Sequence, residues 1–102
     1  MNPGEIDNVF IELDTKLRKF KEAHGVELME RVKQRTPVDT GHLQNSWGFQ
    51  MKSTSYEVYN TKDYAAYVEY GTEKMAPRGM LRTTLLEVDQ ITEVAKRKVG
   101  LS

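Results

Sequence analysis

His24 and His42 are the only two histidines, and the chain has no cysteine. Two imidazoles without thiols, and without a ligand spacing between them, do not make a zinc site, so each reads as a half-buried or surface side chain. Asp39, His42 and Ser46 bring together the residue types of a nucleophilic triad over a short stretch. A triad is set by geometry across a fold rather than by closeness in sequence, and Asp39 reads instead as a turn-former. Glu69 stands among tyrosines, where a carboxylate could carry a shifted pKa. The plainer reading is a carboxylate held by backbone amides or by Arg78. There is no Walker loop and no glycine-rich dinucleotide fingerprint. The expectation is no catalytic site, no metal and no cofactor.

The remaining candidate residues are of the kind that make contacts. Trp47 and the five tyrosines cluster between positions 47 and 70. A stacking platform for single-stranded nucleic acid would interleave basic residues there, and only Lys52 and Lys62 qualify, so a small core with an interface belt is favoured. The loop from Thr72 to Gly79 and the residue after it bring Met75, Arg78 and Met80 together. Methionine adapts to irregular surfaces and arginine is enriched at interfaces, so these three are interface candidates beside an ordinary connector reading.

The elements that must position these residues are legible in the periodicity. Ile6, Phe10, Leu13, Leu17, Phe20, Leu28 and Val32, with His24 filling one turn, recur in steps of three and four from Pro3 to Arg35. That spacing predicts one long helix with Asn2 as cap, a stop before Pro37, and Gly25 as its weak point. Glu12–Lys16, Asp14–Arg18 and Glu27–Arg31 are spaced as ion pairs along it. Thirty-odd residues at 1.5 Å span about 45 Å, longer than the roughly 33 Å diameter of a compact chain of this size. The helix therefore bends at Gly25, packs its stripe on another subunit, or does both. Phe10, Leu13, Leu17 and Phe20 are the interface candidates on it. The cluster from Thr36 to Gly41 is a turn, with a short helical turn through Leu43. Alternation over Ser46–Ser53 and Tyr56–Thr61 predicts an antiparallel hairpin. Tyr64–Tyr70 fits a strand or a short helix; the helix is favoured because Gly71 supplies a left-handed stop. Met80–Val99 reads as a second amphipathic helix, with a stripe of Leu81, Leu85, Val88, Ile91, Ala95 and Val99. The fold class is α+β in a single domain, residues 1–102.

Composition bounds the function. With 102 residues the chain is one domain with a thin core, which leans towards help from partners. Fifteen basic and fifteen acidic residues cancel. A free-standing nucleic-acid binder would carry a basic excess. No apolar run is long enough to span a membrane, the start lacks the pattern of a signal peptide, and the lack of cysteine fits a reducing compartment.

Three stretches together resemble the small tail-component or neck proteins of tailed bacteriophages, of lambdoid type, which join head to tail. Pro37-Val38-Asp39-Thr40-Gly41-His42-Leu43-Gln44-Asn45-Ser46 is similar to that family's Pro-x-Asp-Thr-Gly-x-Leu-x-x-Ser. Tyr64-Ala65-Ala66-Tyr67-Val68-Glu69-Tyr70-Gly71-Thr72 is similar to its Tyr-Ala-x-Tyr-Val-Glu-x-Gly-Thr, and Ala76-Pro77 to its Ala-Pro loop before a C-terminal helix. One departure is Gly79-Met80, where the family often carries Pro-Phe. The resemblance implies a non-enzymatic structural subunit of the virion neck or upper tail. It also implies a homo-oligomeric ring that meets neighbouring neck and tail proteins, with assembly in the host cytoplasm. DNA would only pass through the lumen, without sequence-specific binding, and no membrane is involved. A small toxin-like ribonuclease and a regulatory peptide- or nucleic-acid-binding module are the alternatives.

Overall fold

A computed structural model of the protein describes residues 3–37, 41–74 and 76–101, with side chains described from residue 14 onward. The expected Asn2 cap, the Glu12 ion pair, Asp39, Thr40, Met75 and the side chains of Ile6, Phe10 and Leu13 lie outside the described residues. Among the described residues seven elements follow one another. Helix α1 spans Pro3–Arg35, α2 Gly41–Gln44, β1 Trp47–Met51, β2 Tyr56–Asn60, α3 Ala65–Tyr70, α4 Met80–Leu85 and α5 Val88–Val99. The class is α+β: a long first helix, a two-stranded antiparallel hairpin, a short helix and a C-terminal helical segment.

Helix α1 runs unbroken through Gly25 and stops one residue before Thr36, whose backbone Pro37 steers out of helical geometry. Asp14–Arg18 approach to 3.9 Å and Glu27–Arg31 to 2.9 Å, as their four-residue spacing predicts. Gly25 is more than a weak point. A Cβ there would sit 2.0 Å from Cε2 of Phe49, so the glycine is what lets β1 lie against the helix. In the hairpin, Trp47 pairs with Asn60, Phe49 with Val58 and Met51 with Tyr56. The alternation holds: these residues face α1, while Gln50, Glu57 and Tyr59 face out.

The core joins the second half of α1 to everything else. Leu28, Val32, Leu43, Trp47, Met80 and Ile91 form it, with Ala65, Val68, Tyr56 and Val58 packed around it. Buried polar groups are paired: the Trp47 indole donates to the Thr36 hydroxyl at 2.8 Å, and that hydroxyl donates to the Val32 carbonyl at 2.8 Å.

One expected element is divided. The C-terminal helix breaks at Leu86-Glu87, between α4 and α5. The Thr84 hydroxyl donates back to the Met80 carbonyl at 2.6 Å, a bond that bends helices. Glu87 is drawn to α1 by Arg31, 3.0 Å from its Oε2, and by Arg35 at its Oε1. The buried face also differs from the expected stripe. Ile91 and Ala95 are buried, but Leu85 and Val88 are exposed, and α4 uses Met80 and Thr84 instead.

The molecule measures 66 × 23 × 20 Å, with a radius of gyration of 17.6 Å. A compact chain of this length has a radius near 13 Å. The excess is α1: residues 14–19 are all exposed, and among the described side chains burial against the chain's own body starts at Phe20. The seventeen residues from Pro3 to Lys19 project about 25 Å.

Candidate functional site

Glu69 sits on α3 and is almost wholly buried. Its Oε1 accepts the Leu81 amide at 2.7 Å, and its Oε2 accepts the Arg82 amide at 3.0 Å and the Arg82 Nε at 3.1 Å. Leu81 and Arg82 are the second and third residues of α4, so Glu69 satisfies two amides that the helix start leaves open. Burial pushes the carboxyl up, but the two amides and the guanidinium outweigh it and hold the group below its ordinary value. The arginine involved is Arg82, not Arg78. Arg78 is exposed and contributes its backbone amide, 2.9 Å from the Val68 carbonyl. Arg82 also donates to the Glu69 carbonyl at 2.7 Å and lies over the Tyr70 ring at 4.6 Å. With every oxygen of Glu69 engaged in holding α4, the arrangement is a clamp rather than an acid or base.

The clamp fixes both ends of the 72–79 loop. Gly71 leaves α3 with φ +80°, as its glycine identity allows. Gly79 enters α4 in the left-handed region, φ +58°, with its amide on the Glu69 carbonyl at 3.2 Å. A proline has neither that φ nor that amide, so this entry into α4 depends on the glycine. Between these pins Thr72, Glu73, Lys74, Ala76 and Pro77 are exposed, and the Thr72 hydroxyl accepts the Lys74 amide at 3.2 Å.

The other motif residues fall into two groups. Leu43, Ala65 and Val68 pack in or against the core, and Pro37 is half-buried beside it. Gly41 opens α2. Ser46 donates to the His42 carbonyl at 2.5 Å, not to the His42 ring. Tyr64 and Tyr67 face outward, 37% and 61% exposed, while Ala65 and Val68 take the inward face. Of the interface candidates, Leu17 is 52% exposed, Arg78 is exposed and Phe20 half-buried; Met80 is fully enclosed by the chain's own core. Leu86, which periodicity assigned no role, is 85% exposed beside Pro77, Arg82 and Thr83. Helical spacing already sets it off the face that Thr84, Ile91 and Ala95 bury.

A groove of about 840 Å³ lies between the projecting α1 and the hairpin tip. Leu17, Phe20, Met51 and Tyr56 line it with His24. His24 Nε2 faces Thr92 Oγ1 at 3.1 Å, and that hydroxyl donates to the Val88 carbonyl, so the imidazole is the donor there. Its Nδ1 then accepts the Tyr56 hydroxyl at 2.5 Å. Burial pushes the His24 pKa down and the Tyr56 pKa up. The pair ties α1, β2 and α5 together. Lys21 donates to the Lys52 and Ser53 carbonyls at 2.7 and 3.1 Å and fixes the hairpin tip to α1. No cluster of metal-ligating side chains occurs among the described residues.

A projecting helix, a pinned loop and outward aromatics on a small core are surfaces for contact. The family model described as "Bacteriophage HK97-gp10, putative tail-component" matches residues 11–71, more than half of the chain. The chain belongs to this HK97-gp10-like family of bacteriophage tail components. No curated protein and no solved structure matches it. Membership carries a structural role in the virion and association with other virion proteins. No helix among the described residues is long and apolar enough to cross a membrane.

Proposed function

We propose that this chain is a non-enzymatic subunit of a ring in the neck or upper tail of the virion, where it joins head to tail or completes the tail. The observation that supports the reading best is the projection of α1 beyond the body that folds around its other half. A folded monomer of 11.8 kDa has about 5,900 Å² of accessible surface by the usual scaling with mass, whereas this chain has 7191 Å². The surplus of roughly 1,300 Å² exceeds the ~800 Å² that one partner contributes to a standard interface. In a ring, Leu17 on the projection and Phe20 at its base, with the 72–79 loop, reach the next subunit, and a head-to-tail contact closes when its rotation fits. Zero net charge goes with a lumen that lets DNA pass and does not grip it.

Native mass spectrometry of the chain with the adjacent neck proteins is the test. A defined ring multiple is expected, and a chain that stays monomeric with those partners has no ring role. Replacing residues 73–77 by a Gly-Ser linker, with Arg78 and Gly79 kept because they are pinned to α3, leaves the fold intact and impairs assembly. Unchanged assembly removes the loop from the contact.

A further inference from the structure

Ile6, Phe10, Leu13, Leu17, Phe20 and His24 follow one another in steps of four, three, four, three and four. That is the seam spacing of a coiled coil. Beyond His24 the spacing changes to two steps of four, reaching Leu28 and Val32, which are buried in the chain's own core. The seam thus occupies the part of α1 that projects and runs two positions further, through Phe20 and His24, into the body.

Charge is segregated over the same stretch. Glu5, Asp7, Glu12 and Asp14 come first with no basic residue among them; Lys16, Arg18, Lys19 and Lys21 follow with no acidic one. Two such helices side by side and parallel stack acid on acid and base on base. Antiparallel and crossing near residue 15, each sets its acidic stretch along the other's basic one. The same crossing aligns the seam, with Phe10 level with the partner's Phe20 and Leu13 level with the partner's Leu17. The acidic end then runs into the groove beside the hairpin tip, whose apolar floor is rimmed by Arg18, Lys21 and Lys52 as well as Asp14 and Glu22. The surplus surface estimated above is enough for a stable pair.

We propose that the free chain is a symmetric dimer in which residues 3–13 of each copy lie antiparallel in the groove between α1 and the hairpin tip of the other. A symmetric contact closes at two, so it covers the apolar seam of the unassembled chain until neighbours in the tail replace it. The proposal concerns the free chain and does not rest on the ring.

The lack of native cysteine makes disulfide trapping a clean test. F10C alone and F20C alone stay unlinked under mild oxidation, whereas their mixture links. The double variant F10C/F20C links into a species that ends at two chains. Sedimentation equilibrium of the parent shows a dimer, and L17D, its helicity unchanged by circular dichroism, weakens that dimer by more than about tenfold. Self-linking of either single variant, a ladder above two chains from the double variant, a monomeric parent, or undiminished dimerisation of L17D overturns the proposal. Ring formation with the neck proteins is read separately, so either idea can fail alone.

Discussion

At the scale of single residues, Glu69 and His24 are each held by several partners, and both lose stability in the acid direction for different reasons. Replacing Glu69 with alanine leaves two amides at the start of α4 and the Arg82 guanidinium without their acceptor, and is expected to cost about 2–3 kcal/mol in urea denaturation. Glu69→Gln keeps one amide acceptor and costs less. Because the folded carboxyl lies below its ordinary 4.5, its contribution is full above that pH and is lost as pH falls through the folded value. His24 acts earlier. Its folded pKa is also lowered, from 6.5, so the unfolded chain takes the proton first and stability declines as pH drops below 6.5. Melting temperatures followed from neutral to mildly acidic pH are expected to show that decline, and His24→Gln is expected to flatten it. The partner type of Glu69 could be read from the sequence, since a glutamate among tyrosines near an arginine is readily held by amides and a guanidinium. Which arginine could not, because Arg78 and Arg82 are separated by the left-handed turn at Gly79.

At the scale of elements, periodicity worked where one face meets one body and failed where two surfaces compete. The stop of α1 followed from Pro37 and the hairpin faces from alternation, both local signals. The division of α4 from α5 did not, because it depends on Arg31 and Arg35 at the far end of α1 capturing Glu87, a contact between residues more than fifty positions apart. The outward turn of Tyr67 was equally out of reach, since Tyr67 and Val68 are adjacent and only the packed body decides which faces in. Gly25 gives the sharpest test of the difference between local preference and packing. Helix propensity alone makes Gly25→Ala stabilising by about 1 kcal/mol. The Cβ would lie 2.0 Å from the Phe49 ring, so the expected result is a net loss of about 1–2 kcal/mol. Adding Phe49→Leu is expected to recover part of it, and a double-mutant cycle in urea reads the coupling.

At the scale of the whole molecule, stability and assembly are carried by different parts of one helix. Among the described side chains of α1, the buried ones are Leu28 and Val32, both in its second half, whereas residues 14–19 are exposed throughout. Removing the first sixteen residues therefore takes away none of the described side chains that form the core. The shortened chain is expected to unfold within about 0.5 kcal/mol of the parent, as surface changes do. The same removal takes the projection from about 25 Å to a single turn, and with it the surface by which a subunit reaches its neighbour. The expected phenotype is a folded protein that fails to restore infectious particles to a phage lacking the gene, scored by plaque formation and by heads without tails in electron micrographs. A shortened chain that unfolds far more readily than the parent would place the projection in the fold, and one that restores tailed particles would place the assembly contact elsewhere.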